Sequence, residues 1–459
     1  MSIESSRMSS LELRAGLGLA GIYALRMLGI FLFLPVFMPY ASHLPGSDPA
    51  LGGMAFGIFA LVQACLLIPF GMWSDRVGRK RVIYIGLALL AIGSFIAGSA
   101  TDIYTLIAAR ALQGTGAISA ALTALLADLT REEHRTKAMA MIGGSIGVTF
   151  AVSLVVAAKI EHWIGVPGMF RLIGCLAIAA ALGVKFVVPD PVISRFHSDA
   201  ETKANRLPDI LRNPDLLRLN FGVFALHAAQ AAMFAVIPFV LTKVLQLDKS
   251  VQWHIYLPVA ALGFVLMVPA IIYGEKKGKL KPVFLGAIIL MLIAQAGMAF
   301  GLVSFTNIFA LLAIYFVAFN VLEATLPSLI SKMAPADAKG TAMGVQNTAQ
   351  SIGFAVGGGL GGVIYKHQGT MPTFLFCAFL MLVWFVIGLG MRPPMKVSSK
   401  MFHLGDDWRG DANALRQKLA ACDGVLEVAV IPEESAAYLK VAQAGWDEMA
   451  VKQLIDSTL

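Results

Sequence analysis

Long apolar runs alternate with short polar connections along the chain. Twelve runs reach the roughly 20 residues needed to cross a bilayer. They fall near 16–40, 53–72, 82–100, 104–127, 138–159, 169–188, 219–243, 251–273, 282–302, 305–330, 341–365 and 371–391. A polar stretch from Pro189 to Leu217 separates six runs from six, and hydropathy falls after Arg392-Pro393-Pro394. The pattern predicts an all-α polytopic membrane protein of twelve transmembrane helices in two six-helix bundles. The first bundle takes residues 1–190, a central loop 191–217, the second bundle 218–395 and a small α+β domain 401–459. The polar first 14 residues lead into an apolar run that is long enough to span, unlike a cleaved signal.

The last segment reads differently. Ala412 to Ala421 is an amphipathic helix, Val425 to Ile431 and Ala437 to Ala442 alternate as strands, and Pro432-Glu433-Glu434-Ser435 is the turn between them. Trp446 to Ile455 is a second helix. With a strand near Phe402, the order is ferredoxin-like.

Composition narrows the class. Of 459 residues 58% are hydrophobic and only 14% charged, against about 25% charged in a soluble domain. This excludes an ordinary soluble enzyme, a nucleic-acid-binding module and a disordered chain. Placement explains the net charge of +8. With the N-terminus inside, inner segments carry 24 Lys and Arg and outer ones 5, which puts both termini in the cytoplasm. Residues 401–459 hold 5 basic and 10 acidic residues, so an acidic tail faces basic loops on which it can dock. The four cysteines are too far apart for a metal or redox spacing, and those in apolar runs, Cys65, Cys175 and Cys377, read as core fillers.

The halves repeat. Gly71-x-x-x-Asp75-Arg76-x-Gly78-Arg79 follows the second run, and Glu275-Lys276-Lys277-Gly278-Lys279 follows the eighth at an offset of 200. Leu125–Met139 is echoed by Leu329–Met343 at an offset of 204. Parallel six-helix repeats place a substrate site between the halves. Asp75 at a helix end can cap amides or meet a helix dipole. Arg79 can pair with Asp75 or Asp128 as a conformational latch.

The loop Gly71-x-x-x-Asp75-Arg76-x-Gly78-Arg79-Lys80 resembles the signature loop of the major facilitator superfamily. Leu106-x-x-x-Arg110-x-x-Gln113-Gly114-x-Gly116 is similar to that family's next motif. The resemblance covers residues 10–395 or so. With the soluble tail, the overall pattern is similar to bacterial inner-membrane drug–proton antiporters of the family. It implies two bundles rocking about a central cavity and a loop contact of Asp75, Arg79 and Asp128 that holds an outward-facing state. The family's antiporter motif, Gly-x-x-x-Gly-Pro-x-x-Gly, is met at Gly143 and Gly147, but Val148 and Ala151 replace the proline and last glycine. The tail also resembles heavy-metal-associated domains but lacks their Cys-x-x-Cys, so no metal is expected there.

Ionisable groups inside spans are costly and mark function. Glu323 is the carboxylate well inside a span, and with His227, Arg26 and Arg110 it forms the proton-coupling candidates. The two arginines read equally as hubs for backbone carbonyls. Tyr23, Gln63, Gln113, Gln230, Asn320, Gln346, Asn347 and Gln350 are cavity candidates. Gly143 and Gly147, like Gly353, Gly357 and Gly361, read as close helix–helix contacts. No phosphate-binding glycine loop, nucleophile or cofactor set is evident. These features predict a monomeric, proton-coupled exporter of small organic compounds in the bacterial inner membrane. A proton-coupled metabolite symporter and a non-transporting sensor acting through its tail are the alternatives.

Overall fold

The computed structural model describes residues 8–190, 206–247, 252–335, 338–392, 397–405, 408, 410–432, 435–442 and 445–456. Most of the expected central loop, Lys249 and the Glu433-Glu434 turn lie outside the described residues.

The first span is α1 (Ser10–Phe31) and α2 (Phe37–Ala41), broken by turns over 32–36 that include Pro35. The second is α3 (Pro49–Val77) and the third α4 (Arg79–Ala97). The fourth is split into α5 (Ile103–Gly114) and α6 (Ser119–Asp128), a break hidden within one apolar run. The fifth and sixth form one long α7 (Glu132–Phe186), divided where Gly165 leaves helical geometry at φ 65°. A short α8 (Leu207–Arg212) leads into α9 (Pro214–Lys243), α10 (Trp253–Lys276), α11 (Leu280–Gly301), α12 (Phe305–Met333), α13 (Lys339–Gln368) and α14 (Thr370–Leu389). Among the described residues, nine helices are long and apolar enough to cross a membrane. The split fourth span, the second half of α7 and the glycine- and glutamine-diluted α13 complete twelve. Helix starts follow their caps: Asp48 accepts from the Ala50 and Leu51 amides before α3, and Asn213 accepts from Asp215 and Leu216 before α9.

Large side chains such as Val265, Phe300 and Val386 stand exposed on the outside of the bundle, as expected of a surface solvated by lipid. Packing between helices depends instead on small residues. A Cβ on Gly353 would lie 2.3 Å from the Phe224 carbonyl, and one on Gly357 2.0 Å from that of Ala228. These glycines therefore seat α13 directly on α9. On another face of α13, a Cβ at Gly362 would meet the Pro49 carbonyl at 2.5 Å, and across the seam one at Gly53 would meet the Gly358 carbonyl at 2.2 Å. This second seam joins the two halves. Gly143 and Gly147 behave differently: a Cβ at Gly143 meets nothing within 4 Å, and one at Gly147 only Phe264 at 3.9 Å. The expected close backbone approach is not made at either position, and Gly147 touches α10 only through the Phe264 side chain. Of the cysteines expected in the core, Cys65 and Cys175 are exposed and Cys377 is buried.

The halves meet at one end. One hydrophobic cluster crosses between them through Phe37, Phe56, Phe150, Phe319 and Phe354, whereas Leu19, Val82, Leu122, Leu125 and Ala138 form a separate cluster at the N-terminal half's other end. That other end carries Gly78 and Gly278 and is called the loop end below.

The tail folds as β1 (Val397–His403), α15 (Ala412–Ala420), β2 (Val425–Ile431), β3 (Ala436–Ala442) and α16 (Glu448–Asp456). Its antiparallel sheet has the order β1-β3-β2, matching the expected ferredoxin-like sequence of elements. Leu415, Leu419, Val451 and Ile455 of the helices pack on Val428, Leu439 and Val441 of the sheet.

Candidate functional site

At the loop end, α3 stops at Gly78 with φ +107°, a backbone region that side chains rarely tolerate. The sharp turn brings Arg79 back onto the last turn of α3. Its guanidinium bonds the Asp75 carboxylate and, at 3.0 Å, Ser74 Oγ, while Nε reaches Asp128 Oδ2 at 3.4 Å. The Asp128 carboxylate is wholly buried. Asp75 lies at the C-terminal end of α3, where the helix dipole disfavours an acid, so Arg79 rather than a cap holds it. Gly71 lets α6 approach, since a Cβ there would lie 3.2 Å from the Ala120 Cβ. Arg76 is exposed on the same turn. All of these residues belong to one half, and the cluster is formed while the halves are joined at the far end. The repeat is structural too: Gly278 has φ +65°, and Glu275, in the place of Asp75, pairs with Lys332 at 3.3 Å.

Deep between the halves, α9, α12 and α13 bring three polar side chains together. His227 Nδ1–H donates to the Val223 carbonyl at 2.9 Å. Since a carbonyl only accepts, the exchangeable ring position is Nε2. Nε2 lies 2.8 Å from the Gln350 amide nitrogen and 3.3 Å from Glu323 Oε2. The imidazole is buried, whereas the Glu323 side chain is 40% exposed, so a proton can reach the pair through the carboxylate. Phe319 packs edge-on to the ring.

A second chain of contacts crosses the halves. Arg26 of α1 donates through one terminal nitrogen (Nη2) to Gln63 Oε1 of α3 at 2.7 Å, and Gln63 Nε2 reaches Ser351 Oγ of α13 at 3.4 Å. Tyr23 sits beside Arg26 and Ser119. Ser351 follows Gln350, so both chains of contacts end on neighbouring residues of α13.

Other candidates lie elsewhere. Arg110, read as a proton-coupling candidate, is sealed in the N-terminal half. It donates to Gln113 Oε1 at 2.9 Å and approaches the Ala55 carbonyl at 3.5 Å, with the Phe37 and Phe59 rings 5.4 and 4.7 Å away. Gln113 in turn donates to Ser94 Oγ at 2.7 Å. Gln113 is therefore a core bond partner rather than a cavity residue, and Arg110 is the hub of a closed network. Asn320 is buried with its amide nitrogen against Gly263 of α10, and Gln230 is buried in α9. Gln346 is buried on α13 with Oε1 unpartnered, while Asn347 and Gln350 are half-buried beside it.

At the opposite end Asp48 accepts a 2.8 Å hydrogen bond from Lys366 Nζ of the other half. Neither residue was a sequence candidate, although Asp48-Pro49 is a helix-start signal. Ser351 was missed as well. Its only sequence signal is its place beside the glycine stripe of α13.

Two parallel six-helix halves around an internal polar site define a secondary transporter. The chain matches the Major Facilitator Superfamily family model over residues 19–358 and 275–409 and belongs to that family of membrane transporters. It is 40% identical to the "Inner membrane transport protein YajR" of Escherichia coli over 98% of both chains. It is 26% identical to "Multidrug resistance protein 2" of Bacillus subtilis over 79% of this chain and 90% of that one. A crystal structure of a bacterial homologue of the human lysosomal transporter Spinster superposes with a TM-score of 0.68 at 15% identity. That match covers 83% of this chain and 97% of that one.

Proposed function

We propose that this transporter exports small organic compounds across the bacterial inner membrane by proton antiport, as a monomer, with the loop end in the cytoplasm. The basic loops favour that orientation. Contacts between the halves gather at the opposite end, so with this orientation the arrangement is read as inward-facing. The Asp75–Arg79–Asp128 cluster is already formed in it rather than reserved for the outward-facing state. Alternating access then exchanges the Asp48 end for the loop end as the closed side.

The 3.3 Å approach of His227 Nε2 to Glu323 Oε2 carries the reading. With Nδ1–H committed to Val223, the pair shares one proton between Glu323 and Nε2. Loss of that proton leaves a carboxylate in the cleft, which attracts a basic substrate. Return of the proton neutralises it and expels the substrate. Glu323→Gln in proteoliposomes tests this: transport driven by a proton gradient should vanish while downhill substrate exchange persists. Intact proton-driven transport would show that Glu323 is not the proton site.

A proton symporter is the second reading, favoured by Val148 in place of the antiporter proline. The sign of the pH change that substrate causes in vesicles separates the two. The relatives' names, a transport protein and a multidrug resistance protein, support transport and export respectively. The acidic tail docks on the basic loop end, a reading supported by the approach of β1 to α12.

A further inference from the structure

Arg26 and Arg110 are both buried arginines within spans, yet their surroundings differ. Arg110 spends its donors on Gln113 and the Ala55 carbonyl and lies over aromatic faces, an enclosure that accounts for its charge. Arg26 is equally buried, but one terminal nitrogen (Nη1) has no hydrogen-bond partner, and among the described residues no carboxylate pairs with it. Buried charges are ordinarily paired. Around Arg26 stand the Tyr23 hydroxyl, the Gln63 amide and the Ser351 hydroxyl. These groups can all donate to an anion, and none of them carries a charge to offset the guanidinium. Gln63 and Ser351 place the array at the contact between the halves, where a substrate is held.

We propose that Arg26 is the seat of an anionic group, a carboxylate or sulfonate, on the transported molecule. The Nη1–H groups that face no protein acceptor donate to it, and Gln63 holds the guanidinium in place from the other side. The proposal rests on the cleft between the halves being the transport site. It narrows the substrate class to organic compounds with an anionic group. Since Glu323 lies on the opposite half, zwitterions that also carry a basic nitrogen satisfy both ends.

Thermal melting of the purified full-length protein tests it. Without added anion, Arg26→Gln should melt no lower than the unaltered protein, because the substitution removes a buried charge that no protein group balances. A fall of several degrees would make Arg26 a structural strut and overturn the proposal. Both proteins are then melted at constant ionic strength with benzoate, benzenesulfonate and 4-(aminomethyl)benzoate, with benzylamine as the matched compound lacking the anion. At least one anion should raise the melting temperature of the unaltered protein. In Arg26→Gln its half-saturating concentration should rise about tenfold or more, the loss expected for one charge-assisted hydrogen bond. Arg26→Lys, which keeps the charge, should retain part of the response. Equal shifts in the unaltered protein and Arg26→Gln, or shifts in neither, would overturn the proposal. The anion seat is read from melting of Arg26→Gln and the proton reading from proton-driven flux of Glu323→Gln, so the two can fail independently.

Discussion

Asp48 and Lys366, from opposite halves, close one end of the molecule with a 2.8 Å hydrogen-bonded ion pair beside a seam of glycines. Asp48 also caps α3, so its carboxylate serves two helices at once. Lys366→Met should loosen the closed end while sparing the cap. Both side chains are about one-third exposed, so the pair contributes at most about 1 kcal/mol. The population open at this end should therefore rise by no more than about fivefold, read by alkylation of a cysteine placed at Ser47.

The same pair sets a pH dependence. The Lys366 ammonium, helped by the Leu51 and Ala50 amides, holds the Asp48 carboxyl below the usual carboxylate range. A depressed carboxylate stabilises the closed end above its ordinary pKa and loses that contribution as pH falls through the lowered value. Alkylation at Ser47→Cys, corrected for thiolate fraction, should stay flat from neutral pH down to the ordinary carboxylate range. It should climb only in stronger acid, and Asp48→Asn should abolish the climb.

Glycines of the same spacing should respond oppositely to a methyl group. Gly357→Ala places Cβ against the Ala228 carbonyl and should cost about 1–3 kcal/mol as overpacking, or fail to fold. Gly143→Ala meets open space and should stay within about 0.5 kcal/mol of the parent. Melting in detergent compares them.

Arg79→Ala strips the buried Asp128 of a cationic partner and should be markedly destabilising, with about 3–5 kcal/mol as the range for a broken buried pair. Asp75→Ala, which removes a partly exposed acid, should cost much less. Asp128→Asn introduced into Arg79→Ala should recover part of the loss, because the buried carboxylate that Arg79 faced is gone. Melting temperatures of the three proteins check this order.

Deleting the tail separates a transporter from a sensor that works through it. Because β1 begins at Val397, the cut belongs before that residue; a cut at 401 would leave half a strand. Proteoliposomes of the truncated chain should keep at least partial flux. Loss of all flux in a correctly folded truncation would favour the sensor reading.

The twelve spans were legible because a bilayer demands length and apolarity, which hydropathy measures directly. Facing was not, since a lipid-exposed helix side is as apolar as a buried one. Gly143-x-x-x-Gly147 and Gly353-x-x-x-Gly357 read alike, yet one borders open space and the other a neighbouring backbone. Gln63 and Gln113 also looked equivalent, and only the break between α5 and α6, set inside a continuous apolar run, shows why Gln113 turns into the core. Glu323 and His227 stood out because charge in a span is rare. The groups that tune them, the Val223 carbonyl and the Gln350 amide, carry no such signal. At the Gly78 turn the pairing of Arg79 with Asp75 and Asp128 was legible, whereas a capping role for Asp75 was not met, and Gly278 repeats the turn in the second half.

The glycine seam between α3 and α13 has one further consequence. Most helix contacts behave like gears, whose side-chain teeth must disengage before either part can turn. At Gly53, Gly358 and Gly362 this seam is bare main chain on both sides. At these glycines it works as a bearing, while the side chains beside it, such as Phe56 and Phe354, must repack when one half tilts against the other. A methyl group at Gly53 or Gly362 would cut the first notch in it.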